Sequence, residues 1–151
     1  MADRFPGDVV DAVLVVSFDD LVETAAKIEA LSDFKRCPDF EQLAITFKRV
    51  GNVVKAGLDE PVDKGLFRED AEKKLYFSYL SVSEKADSKI AQRSYLDALS
   101  EIATLRGTVA AFFDTVMVMS EDEKLRINRL SLLTGIARLF ANIADFAKIS
   151  A

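Results

Sequence analysis

Apolar residues recur along the chain at spacings of three and four, and strict alternation over strand length is hard to find, so the pattern predicts an all-α protein. Six helices follow from it. The first covers about Gly7 to Ser17, where Val9, Val10, Ala12, Val13, Leu14 and Val16 leave apolar surface almost all round and predict burial. The second, about Asp20 to Leu31, carries Leu21, Ala25, Ile28 and Leu31. Asp19 or Asp20 can accept hydrogen bonds from its free first-turn amides, and Ser32-Asp33 reads as its end. Pro38 stands where a third helix begins, because proline loses nothing in a first turn, and Asp39 and Glu41 suit the positive end of the helix dipole. That helix runs to about Ala56, with Phe40, Leu43, Phe47, Val50 and Val54 on its apolar face.

The segment from Gly57 to Gly65 gathers two glycines, one proline and four charges, a loop by its turn chemistry, and divides the chain into two helical halves. Beyond it the pattern predicts a fourth helix at about Asp70 to Asp87, a fifth at about Ile90 to Met119 and a sixth at about Glu121 to Ser150. The last two are expected to form a long antiparallel hairpin. Between them Ser120 can cap, and Glu123 completes a capping-box spacing. Met117 and Met119, with Val116 and Val118, read as core packing at the end of the fifth helix. The simplest architecture is one helix bundle spanning residues 1–151.

Composition narrows the chemistry. The chain has no histidine and a single cysteine, Cys37, so the commonest zinc ligand and general base are missing, and an internal disulfide is impossible. No metal site, cofactor site or nucleophilic centre is expected. The paired carboxylates Asp19-Asp20 and Glu121-Asp122-Glu123 stand where helices begin, which capping explains more simply than acid–base catalysis. Val9 to Val16 is too short to cross a bilayer and contains Asp11, so no membrane partner is expected and a reducing, cytoplasmic compartment is the default. The net charge of −5 argues against binding nucleic acid indiscriminately. Any contact with RNA must be local.

Two arginines break apolar stripes. Arg129 falls among Leu125, Leu132, Ile136, Leu139, Ile143 and Phe146. Arg106 falls among Tyr95, Leu99, Ile102, Val109, Phe113 and Val116. A guanidinium in such a place needs a partner. It is either an internal ion pair, with Asp114, Glu101 or Asp97 as acceptors, or a contact to phosphate or base. On the third helix Lys48, Asn52 and Lys55 share one flank and Arg49 points to a more exposed side. That group could hold a phosphate and read a base edge, or be solvated surface.

From Tyr95 onward the motifs Tyr95-Leu-Asp-Ala-Leu, Leu105-Arg106, Phe112-Phe113-Asp114 with Val116-Met117-Val118-Met119, and Leu125-Arg126-Ile-Asn128-Arg129-Leu130 occur in order, with Ala144-Asp145 near the end. Upstream stand Phe47-Lys48-Arg49-Val50, Asn52 and the Glu72 to Leu75 region. Together these resemble the C-terminal region of bacterial glycyl-tRNA synthetase β subunits over nearly the whole chain. Family members often carry Ile-Ser where this chain has Phe146-Ala147.

The resemblance implies an α-helical anticodon-binding domain named for a DALR-type motif, similar to that of arginyl- and some other class I synthetases. It also implies that the chain is one domain of a longer subunit, beginning at or near an added Met1. Its partners would be glycine tRNA, the remainder of the β subunit and the synthetase α subunit, where glycine activation with ATP and Mg takes place. Candidate RNA contacts, chosen by chemistry and motif position, are Lys48, Arg49, Asn52, Lys55, Arg126 and Arg129. Bracing is favoured for Arg106 and Arg129 is open. If both are braces, the RNA surface falls on exposed residues such as Arg49, Arg126 and Arg138. The rival reading is a helical protein–protein or subunit-docking module without RNA contact; a self-contained enzyme is the weakest of the three.

Overall fold

The computed structural model describes residues 7–14, 21–38, 40–54 and 60–143. Among them the regular structure is entirely helical: α1 Gly7–Leu14, α2 Leu21–Lys35, α3 Phe40–Val53, a 3-10 turn at Lys64–Leu66, α4 Asp70–Ala91, α5 Tyr95–Ala103, α6 Arg106–Thr115 and α7 Glu123–Ala141. The all-α expectation is borne out. The proposed caps Asp19 and Asp20, the residues Asp39, Val16, Lys55 and Ala56, and Phe146 lie outside the described residues.

One apolar core draws on helices from both sides of the loop, including Val9 and Val13 of α1, Leu31 and Phe34 of α2, Phe47 and Val50 of α3, Leu75 of α4, Leu99 of α5, Phe112 of α6 and Leu132 and Ile136 of α7. The two halves are interleaved: α2 packs on α5, and α3 packs on α6 and α7. Helix α7 is buried on nearly every side, and its Ser131 and Thr134 hydroxyls donate back to the carbonyls of Ile127 and Leu130 at 2.7 Å each. Those bonds satisfy polar groups that burial would otherwise leave unpaired. Gly135 lets Tyr79 of α4 lie against this helix, since a Cβ there would meet the phenol oxygen at 2.9 Å.

Several predicted boundaries move. Helix α2 continues past Ser32-Asp33 to Lys35, because Ser32 and Phe34 are buried and Phe34 meets Phe40 edge to face at 5.9 Å. Lys35 then reaches Asp8 of α1 at 2.6 Å. Pro38 sits in the turn before α3 rather than within its first turn.

The fifth helix read from the sequence is two helices followed by a non-helical segment. Helix α4 runs on to Ala91 and stops at Arg93, whose φ of 59° is left-handed. The Arg93 amide donates to Ile90 O at 2.9 Å and that of Ser94 to Lys89 O at 2.8 Å, the paired bonds of a Schellman C-cap with arginine in the usual glycine place. A second break follows Ala103, where the amides of Thr104 and Leu105 turn back to Glu101 O and Ile102 O at 3.1 and 3.0 Å. This shifts the phase of the stripe, so Phe112 is fully buried and Phe113 moves to the edge.

After Thr115 the backbone becomes extended at Val116 and turns at Val118 and Met119. Val116 and Val118 point into the core, whereas Met117 and Met119 are 72% and 65% exposed, so the methionines are not core packing. The long antiparallel hairpin does not form either, since α7 packs on α3 and α4 instead of along α6. The cap of α7 is Asp122, which accepts from the amides of Lys124 and Leu125 at 3.0 and 3.3 Å. Ser120 instead accepts from the Asp122 amide at 3.2 Å, in place of the predicted capping box.

Candidate nucleic-acid interface

The polar residues of Leu125-Arg126-Ile-Asn128-Arg129-Leu130 turn toward protein. Arg129 is 6% exposed and donates from Nε and Nη2 to Glu72 Oε1 at 3.1 and 2.8 Å, and from Nη1 to Met117 O at 2.6 Å. It joins α7, α4 and the segment that follows α6. Asn128, also buried, clasps the backbone of one loop residue, its Oδ1 accepting from Asp63 N at 2.7 Å and its Nδ2 donating to Asp63 O at 3.0 Å. Arg126 is half-buried and donates to Ser120 O at 3.2 Å. The motif is a three-point anchor. Arg129 therefore leaves the list of RNA contacts, because its guanidinium is both buried and committed.

The acceptor of that anchor, Glu72, is 1% exposed and none of the three carboxylates expected from the sequence. Its Oε2 is buried without a hydrogen-bond partner, so the pair is carried by Oε1 alone. The sequence signal was available: a glutamate in the first turn of α4 just ahead of buried Leu75 lies on the inward face. Its distance of 57 residues from Arg129 hid the pairing.

Arg106, in contrast, is only half-buried and is not an internal ion-pair brace. It opens α6 and donates from Nη1 to the side-chain oxygen of Gln42 on α3. Seven residues further along α3, the exposed Arg49 guanidinium lies over the ring of Phe113 on α6, 4.2 Å from its centroid. Phe113 is itself seven residues beyond Arg106. Equal spacing on both helices means that α3 and α6 run side by side in the same direction. At the helical rise of about 1.5 Å per residue, the two rungs stand about 10 Å apart.

Each rung carries one arginine, from opposite sides of a shallow groove. Asn52 is exposed and Lys48 half-buried on the next flank of α3, where Ile45 is also exposed. A guanidinium stacked on an aromatic ring keeps its outer face and N–H edge available for a base or phosphate. Glu41 and Asp114 are exposed on the same two helices. Of the six candidate residues, the structure thus brings together Lys48, Arg49 and Asn52, separates Arg126 and buries Arg129; Lys55 lies outside the described residues. Gln42, Arg106 and Phe113 complete the groove, and sequence reasoning assigned none of them to it.

A family model described as the DALR anticodon binding domain matches residues 43–151. The chain belongs to the DALR anticodon-binding domain family. The match starts within α3, takes in the whole of α6 and covers the anchor motif of α7. Relatives extend the similarity to the entire chain. The glycine–tRNA ligase beta subunit of Geotalea uraniireducens (strain Rf4) is 60% identical over 100% of this chain and 22% of the relative. That of Citrifermentans bemidjiense is 57% identical over 99% of the chain and 22% of the relative. That of Trichlorobacter lovleyi is 48% identical over 97% of the chain and 21% of the relative. The chain thus spans about a fifth of the length of the curated relatives it matches. Among the described residues, no helix of this DALR domain is long and apolar enough to cross a membrane, and no cluster of potential metal ligands occurs.

Proposed function

We propose that this DALR domain binds the anticodon arm of glycine tRNA and positions it for a parent synthetase, adding affinity and identity discrimination while bond making takes place elsewhere. One observation carries the reading: the α3–α6 groove, where Arg49 stacks on Phe113 and Arg106 is held by Gln42. Single-stranded loops are recognised by stacking on aromatic or guanidinium planes and by hydrogen bonds to base edges. The groove supplies both. A net charge of −5 keeps duplex RNA and DNA from adhering elsewhere, so recognition rests on a few well-placed cations.

The proposal extends to a cytoplasmic parent β subunit working with a separate α subunit, where ATP and Mg serve glycine activation. The anchor built by Asn128 and Arg129 then serves recognition indirectly, by fixing α7 under α3 and hence the face that α3 presents. Subunit docking without RNA is the second reading, and the exposed Met117 and Met119 favour it.

Titration with glycine tRNA, and with the same tRNA carrying a changed anticodon, separates the two readings when run at two salt concentrations. Contacts to about three phosphates predict a slope of roughly −2 for log affinity against log salt. Binding indifferent to the anticodon, or absent at millimolar protein, would leave docking as the function.

A further inference from the structure

The Arg106 end of the groove opens into a cavity of about 430 Å³ between the α2–α3 turn and the α5–α6 joint. Small-molecule pockets run from roughly 300 to 1,000 Å³, so a flat heterocycle fits with room to spare. Its apolar wall contains the edge-to-face pair Phe34 and Phe40, and its polar side contains Ser100, Thr104 and Arg106. No carboxylate lines it. Two other clefts among the described residues differ: one has three carboxylates, Glu29, Asp33 and Asp97, against the single cation Arg93, and the other sets Glu84 and Glu101 against Lys85 and Lys89, with no aromatic wall in its lining.

The two hydroxyls give the cavity a direction of reading. Ser100 donates to Leu96 O at 3.0 Å and Thr104 to Glu101 O at 2.6 Å. A hydroxyl has one proton and two lone pairs, so each presents only acceptor capacity to the cavity. Acceptors call for a donor on the ligand. Arg106, at the junction of cavity and groove, supplies the positive charge that a phosphate needs.

We propose that this cavity receives one unstacked base of the bound RNA strand, a base carrying an exocyclic amino group such as cytosine or adenine, with its phosphate at Arg106. The inference rests on the RNA-binding reading and adds a place and a preference to it. An amino group meets the Ser100 and Thr104 oxygens; uracil, with a carbonyl at the equivalent position, sets acceptor against acceptor. The ring lies against the Phe34–Phe40 wall. The neighbouring stretch of strand passes along the groove toward Arg49.

Cys37, the sole cysteine of the chain, is exposed and lines the cavity, so its reactivity reports occupancy. The full chain is titrated with anticodon stem-loops of glycine tRNA in three forms: native, with single loop cytosines replaced by uracil, and with an abasic nucleotide at the same positions. Binding and the rate of iodoacetamide alkylation at Cys37 are both read. The expected result is alkylation slowed in proportion to the bound fraction, with one uracil replacement weakening binding roughly two- to tenfold, the worth of one hydrogen bond. The abasic form at that position binds without protecting the thiol, and Ser100→Ala, on an exposed helical position, narrows the difference between the cytosine and uracil loops.

A native stem-loop that binds while Cys37 reacts at its free rate, or an abasic loop that protects as well as the native one at every position, overturns the cavity assignment and leaves the RNA-binding reading standing. Absence of binding by any stem-loop overturns both.

Discussion

Replacing Arg129 by methionine removes the guanidinium while keeping much of the side-chain volume, and the structure sets the size of the loss. The arginine makes two bonds to Glu72 Oε1 and one to Met117 O, with the two side chains only 7% and 1% exposed. Breaking a buried pair from one side strands the other charge, at about 3–5 kcal/mol. Glu72 is a severe case, because its Oε2 already has no partner and Oε1 would lose both guanidinium bonds. For a domain of this size each kcal/mol shifts Tm by about 2–4 °C, which gives a fall of roughly 6–20 °C. Thermal and urea unfolding followed by circular dichroism measure it. The double variant Glu72→Met with Arg129→Met should recover much of the loss, since an apolar pair of suitable volume removes the stranded charge. A loss under about 1 kcal/mol, a typical surface-substitution scale, would refute the brace. So would a double variant no more stable than the single one. If Arg129 instead touched RNA, the variant would keep its Tm and lose stem-loop affinity.

Three further outcomes follow from the same geometry. Asn128→Leu should free the loop around Asp63, costing about 1–3 kcal/mol for the unsatisfied backbone groups, with faster amide exchange near residues 60–66 as the readout. Asp122→Ala should destabilise the domain by about 1 kcal/mol as the loss of an N-cap, whereas Ser120→Ala should cost clearly less; equal effects would contradict the assigned cap. Arg93→Gly should stabilise by about 0.5–1 kcal/mol in urea unfolding, because the residue is held at positive φ and the left-handed penalty of roughly 1–2 kcal/mol outweighs the entropy of glycine.

The helical class, the third helix and the need to pair Arg129 were legible in the sequence because each follows from periodicity or from the cost of a buried charge. The breaks around Arg93 and Thr104 were not. A Schellman cap normally announces itself by glycine, and here arginine occupies the position; the second break is a short tightening of the backbone with no proline to mark it. One missed break rotated the predicted stripe enough to exchange Phe112 for Phe113, and Phe113 is the ring that receives Arg49. The methionine segment was misread because Val-Met-Val-Met is apolar throughout, so composition masked an alternation of period two.

The candidate site was half visible. Lys48, Arg49 and Asn52 were found from one helix, but a groove needs two, and the facing of α3 by α6 is a tertiary fact that spacing along the chain does not encode. Glu72 and Gln42 were missed for the same reason, as each meets its arginine across more than fifty residues of sequence.

Mapping of backbone amide shifts in the ¹⁵N-labelled chain titrated with the glycine anticodon stem-loop tests whether RNA lies in the α3–α6 groove. Shifts should concentrate on residues 42–52 of α3 and 106–114 of α6, and Arg49→Ala should reduce the salt slope by about 0.7, the contribution of one phosphate contact to a single strand. Shifts gathered instead on Met117–Met119, with the groove silent and Arg49→Ala without effect, would contradict that placement.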